Sequence, residues 1–213
     1  MILLLALAIQ GMLSDTLWTE SAEGYSFNVA YPEVALENTA LGDRLEEYAQ
    51  GQVTQLRGCY YKYFQDDPFL PDFDMELIFT HEPSPNGYIC ILAWLWEYTG
   101  GAHGNTMTQA FIYDITEERF INTVELLGGE ERFEAFAEGV VEFLQSDEYY
   151  DPGWVERGAS PDPQNYHSVI PVPGENGEIT GYTVLFPPYQ VDCYASGTIE
   201  VFVPVDGAPS TPR

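Results

Sequence analysis

His81, His103 and His167 are the only imidazoles in this 213-residue chain, and His103 alone stands in a setting built for special geometry. It lies in Tyr98-Thr99-Gly100-Gly101-Ala102-His103-Gly104-Asn105, directly after a nearly unbroken apolar run. An imidazole so placed could act as acid, base or ligand toward a bound molecule. The glycines Gly100, Gly101 and Gly104 also have a plainer use, since glycine supplies positive φ and lets backbones approach closely. The stretch therefore reads either as a presentation loop for His103 or as a sharp reversal that asks no chemistry of it.

Other reactive patterns are missing from the sequence. No two histidines have His-x-x-x-His spacing, and no serine occupies a Gly-x-Ser-x-Gly elbow, which leaves metalloprotease and serine-hydrolase chemistry without local support. Lys62, the only lysine, does not follow a glycine, so a Walker phosphate loop is excluded. A glycosidase pair could be drawn from the 34 carboxylates, but nothing singles one out. Cys59, Cys90 and Cys193 contain no close-spaced pair of the zinc-binding kind. In an oxidising compartment three cysteines imply one disulfide and one leftover thiol, with all three pairings open. Neither a metal nor a cofactor is expected.

Charge narrows the partners. With 34 acidic side chains against 7 basic ones, the formal charge is −27. Such a surface repels phosphate backbones and anionic headgroups, which argues against nucleic-acid binding and against stable membrane association. It steers cationic partners inward, or it serves solubility. The composition, 45% apolar and 15% aromatic, belongs to a chain with a real core.

The first residues, Met1 to Ile9, form an apolar run too short for a membrane span, and Ala6-Leu7-Ala8 resembles a cleavage site. Residues 1–16 are read as a signal peptide and the mature chain as exported, periplasmic or secreted, although the basic segment that usually opens such a peptide is absent. A buried first strand is the competing reading.

Positioning elements follow from periodicity. Tyr25, Phe27, Val29 and Tyr31 alternate with smaller polar or small residues, the period of a half-buried strand. Asn38 offers a helix N-cap, and Leu41, Leu45, Tyr48, Gln52 and Leu56 recur at helical spacing, so a helix is expected over about 39–61. Strands are expected over 75–81, 88–98 and 106–113, the first two joined at Asn86-Gly87. Strand 88–98 should be central, with Trp94, Trp96 and Tyr98 on one face read mainly as core. Phe133, Phe136, Val140, Val141 and Leu144 predict a second helix over 130–145. Residues 146–164 read as a long polar loop, whose tyrosines and Trp154 either pin it to the body or form a binding lip. Strands near 166–172, 179–186 and 198–203 complete an α+β fold: a mainly antiparallel sheet with two helices against it.

Two stretches carry a family resemblance: Leu92 to Asn105 with Phe111-Ile112-Tyr113-Asp114, and Phe186-Pro187-Pro188-Tyr189-Gln190-Val191-Asp192-Cys193-Tyr194-Ala195-Ser196-Gly197 with Ile199-Glu200-Val201. Together they resemble the extracytoplasmic domain of RsiV-type anti-sigma factors, which are lysozyme receptors; the same domain stands beside some peptidoglycan deacetylase domains. Members of that family often have a small residue and then proline where this chain has Asp192-Cys193. The breaker-rich loop Asp66-Asp67-Pro68 through Pro71-Asp72 marks the boundary between residues 17–66, a small N-terminal half of strand and helix, and residues 67–205, the RsiV-like domain, which a tail, 206–213, follows; the two halves are expected to pack as one unit.

The resemblance implies a non-catalytic exported module of the bacterial cell envelope that recognises peptidoglycan or another wall glycan, or a cationic protein such as a lysozyme. The alternative is a cell-wall hydrolase or deacetylase using His103. The residues proposed for binding are Tyr98, His103 and Asn105 at the glycine turn, and Tyr189 and Tyr194 in the second stretch. Gly100, Gly101, Gly104 and Gly197 are proposed to form the turns.

Overall fold

The computed structural model describes residues 17–22, 24–63, 69, 71–206 and 209–211. The expected signal peptide lies outside the described residues. The fold is α+β. Six strands form one sheet in chain order, β1 (Leu17–Ala22), β2 (Tyr25–Ala30), β3 (Phe73–Glu82), β4 (Tyr88–Tyr98), β5 (Asn105–Asp114) and β6 (Arg119–Ile121). A second sheet holds β7 (Val169–Pro173), β8 (Ile179–Phe186) and β9 (Ile199–Pro204). Pairing is mainly antiparallel; β2 and β3 run parallel because a helix carries the chain from one to the other.

That helix, α2 (Thr39–Tyr63), follows a short turn of helix, α1 (Val34–Glu37). The side-chain oxygen of Asn38 accepts from the Leu41 amide at 3.0 Å, the N-cap contact its position predicts. Leu41, Leu45, Ala49, Val53 and Leu56 are buried. The register Tyr25↔Phe73, Phe27↔Met75 and Val29↔Leu77 puts the apolar residues of β2 and β3 on one face. Ring contacts tie that face to the helix, Tyr60 meeting Tyr25 at 5.5 Å and Phe73 at 5.6 Å, and Tyr48 meeting Phe79 at 6.1 Å.

The chain divides into two units, one of residues up to His81 with Ala93–Thr106, the other of Glu82–Leu92 with residues 107 onward. The first contains the core just described. In the second, a capping box between Asn122 and Glu125 starts α3 (Thr123–Leu127), and α4 (Glu130–Gln145) buries Phe133, Ala137, Val140 and Leu144. Tyr166 is its centre, 1% exposed, with Phe133 at 5.4 Å and Phe186 at 5.8 Å.

Two expectations are corrected, and one strand was not foreseen. No periodicity signals β1, a polar edge strand whose Trp18 packs on Phe27 at 5.5 Å. The expected loop 146–164 contains α5 (Pro152–Ala159), started by Asp151, whose carboxylate accepts from the amides of Gly153 and Trp154. Proline at the first helical position costs nothing because that amide would be unpaired anyway. The expected disulfide is absent: Cys59, Cys90 and Cys193 are all free thiols, Cys90 buried and Cys193 exposed. Burial pushes the Cys90 thiol up to about 11, beyond what the Ser84 hydroxyl beside it offsets.

Candidate functional site

In the first unit, Gly104 has a role independent of positive φ. A Cβ there would stand 2.4 Å from the Trp96 indole, so a side chain at this position would displace the ring. Gly100 adopts φ 88°. His103 is exposed, and its Nδ1–H donates to the Gly104 carbonyl at 2.8 Å, a contact within the turn itself. Asn105 is half-buried, and its side-chain oxygen, fully buried, accepts no hydrogen bond among the described residues. Trp94, Trp96 and Tyr98 lie on one face of β4 and are half-exposed, where core was expected. Burial pushes the neighbouring Glu97 carboxyl upward.

In the second unit the structure brings Tyr189 and Tyr194 together, ring centroids 5.6 Å apart and planes 34° apart. Tyr189 also meets Trp154, from α5, at 6.4 Å and 28°. Offset rings at such distances leave part of each face uncovered, and Tyr189 and Tyr194 are 47% and 37% exposed. Tyr149, 68% exposed, meets Tyr150 edge-on at 5.4 Å. The Ser196 hydroxyl donates to the Asp192 carboxylate, so the Tyr149 hydroxyl, 3.4 Å from it, is the donor in that pair. Burial raises the Tyr150 phenol, and the nearby Asp147 and Asp192 carboxylates add to it.

This row is built with backbone strain. Tyr189 has φ 72°, one of only two non-glycine residues with positive φ among those described. A left-handed residue that is not glycine costs on the order of 1–3 kcal/mol and needs surroundings that over-determine it. Here Gln190 supplies them, its amide donating to the carbonyls of Gly158 and Asn165, both at 2.8 Å. The buried Val191 anchors the segment from below.

The same residues finish α5. A helix end leaves carbonyls without partners, and side chains answer them here. Asn165 donates to Arg157 and Ser160, Gln190 to Gly158, and the Tyr166 hydroxyl to Ala159 at 2.7 Å. The Arg157 guanidinium lies 5.9 Å over the Trp154 ring. The result is a supported strip of aromatic rings on segments that also carry Asp151, bonded to the Trp154 amide, and Asp192, bonded to Ser196.

Of the residues proposed from sequence, Tyr189 and Tyr194 belong to this strip, while Tyr98, His103 and Asn105 belong to the other unit. Gly197 has φ 69° and closes the short helical turn Tyr194–Ser196. Trp154 and Tyr149 were noted in the sequence but not placed with Tyr189, because α5 was not foreseen. Its signal was Asp151-Pro152, an N-cap followed by proline. Among the described residues no three histidine, cysteine or carboxylate side chains gather as a metal site, and no helix is long and apolar enough to cross a membrane.

No family model matches the chain, and no curated protein matches it. Solved structures are similar to it along nearly its whole length. A DUF3298 family protein from Pseudomonas aeruginosa PAO1 is 16% identical with a TM-score of 0.53, covering 93% of this chain and 94% of its own. A member of the DUF3298 family from Bacteroides fragilis NCTC 9343 is 17% identical with a TM-score of 0.54, covering 92% of this chain and 91% of its own. At these identities the likeness concerns the fold alone.

Proposed function

We propose that the chain is a non-catalytic recognition module exported to the cell envelope, and that it binds a cell-wall glycan or a cationic protein such as a lysozyme there. The observation that carries this reading is the strip of half-buried Trp154 with exposed Tyr189 and Tyr194, held in place at the cost of a strained backbone. Strain of that kind gathers where a side chain must be presented to a ligand. Tyrosine and tryptophan offer large contact area with few rotors to freeze. The formal charge of −27 favours a ligand of opposite sign.

The resemblance of Phe186 to Gly197 to the RsiV-type domain points the same way, toward recognition outside the cytoplasm. Two DUF3298 structures share the fold, which is consistent with a domain of that uncharacterised kind. Retention of components from an envelope extract on immobilised protein, eluted at rising salt, tests the reading. A saturable partner released by salt supports it; an extract that passes through unretained contradicts it.

A further inference from the structure

The ligand chemistry of this strip can be specified further, and the inference rests on the recognition reading above. We infer that Trp154, Tyr189 and Tyr194 take an extended glycan of amino sugars bearing free ammonium groups, with the rings under the sugar faces and the surrounding carboxylates on the ammonium groups.

Three features lead there. First, the strip is a row rather than a spot: Tyr189 is in ring contact both with Trp154, at 6.4 Å, and with Tyr194, at 5.6 Å. One lysine or arginine side chain would use a single ring face; a row suits a ligand that repeats a flat unit along its length. Second, the exposed large side chains in the strip are tyrosines, each an apolar ring with a hydroxyl tip, and the flanking Tyr149 is of the same kind. A pyranose has matching halves, a face of C–H groups and an edge of hydroxyls. A protein partner large enough to bind stably needs about 800 Å² from each side with a well-packed apolar centre. No exposed aliphatic side chain stands in the row to extend it toward that size.

Third, the surroundings are anionic and hydrogen-bonding. Asp151 accepts from the Trp154 amide, Asp192 accepts from Ser196 in the turn that carries Tyr194, and Asp147 and Asp192 both lie near Tyr150, while Ser196 and the Tyr149 hydroxyl add neutral groups able to meet sugar hydroxyls. A fully acetylated or anionic glycan gains nothing from three carboxylates. An ammonium-bearing one gains an ion pair and, over a ring face, a cation–π contact. Arg157 over Trp154 shows this surface already accommodating a cation in that manner.

Calorimetric titration of the intact protein with three probes tests the inference: a glucosamine hexamer, the N-acetylglucosamine hexamer, and oligolysine of equal charge. The expected result is binding of the glucosamine hexamer at least tenfold tighter than either other probe, weakened by salt and lost in Tyr194→Ala and Tyr189→Ala. Urea midpoints of both variants verify that they are folded, and Tyr194→Ala, at a residue with ordinary φ, serves if Tyr189→Ala does not fold. Equal binding of oligolysine, equal binding of the acetylated hexamer, or no binding of the glucosamine hexamer overturns the inference. The envelope-extract experiment separates the two levels: a salt-released protein partner that depends on Tyr194 leaves the recognition reading standing and removes the amino-sugar ligand.

Discussion

Gly158 of α5 lies so close to the backbone of Gln190 that a Cβ on the glycine would stand 1.9 Å from the Gln190 carbonyl oxygen. Helix and loop are therefore fitted against each other without room for one methyl group. Because the obstacle is backbone, rather than the end of a flexible side chain, the loop bearing Tyr189 would have to move. Gly158→Ala should cost at least about 2 kcal/mol, at the upper side of what overpacking does. Urea unfolding measures it, and the loop shift should appear as changed near-ultraviolet dichroism of Trp154 and Tyr189.

The left-handed Tyr189 makes an unusual demand on substitution. Alanine keeps the steric penalty of positive φ, whereas glycine removes it. Tyr189→Gly should be more stable than Tyr189→Ala by about 1 kcal/mol. At an ordinary exposed position the order would be reversed, so the comparison of the two urea midpoints reports the backbone conformation directly.

Much of the scaffold was legible in the sequence because it rests on period and caps. Leu41, Leu45 and Leu56 fall on the buried stripe of α2, Asn38 caps it, and Gly87 takes the positive φ expected of the Asn-Gly turn. The strip itself was half legible. Tyr189 and Tyr194 lie five residues apart in a distinctive stretch, but their third ring comes from α5, which proline, glycine and acidic residues disguised as loop. The strain at Tyr189 had no signal at all, since nothing in a tyrosine codon neighbourhood announces positive φ; it arises from Gln190 reaching across to Gly158 and Asn165. The cysteine expectation failed for a related reason, because odd counts describe a compartment and not a distance.

The thiol assignment has a simple check. Three thiols per chain should react with a colorimetric disulfide reagent in denaturant without reductant, and Cys193 should react first in the native protein. Cys90 should stay silent until unfolding, being buried with its thiol held up to about 11. A total of one thiol would mean that two of the three are bridged.

Alkaline pH should unfold the protein in a predictable window. Burial raises Cys90 from its usual 9.0 to about 11, Tyr31 from 10.0 to about 12, and Tyr48 and Tyr166 in the same direction. In each case the unfolded chain loses its proton first, so the stability they confer is complete below about pH 9 and falls as pH rises toward the folded values. The slope is up to about 1.4 kcal/mol per pH unit for each well-buried group that titrates only on unfolding. Tyr166→Phe should flatten the curve above pH 10 while lowering stability at neutral pH by about 1–3 kcal/mol, because the Ala159 carbonyl loses its donor.

Whether the rings on the 187–196 segment form a recognition surface or a structural brace is decided by retention of envelope components on wild-type protein and on Tyr194→Ala, side by side. For a recognition surface, the variant keeps its unfolding free energy to within about 0.5 kcal/mol, as an exposed side chain should, and retains no more than about a tenth of the salt-released partner. Equal retention by the two proteins, or a variant that loses stability and binding in step, would contradict a recognition surface.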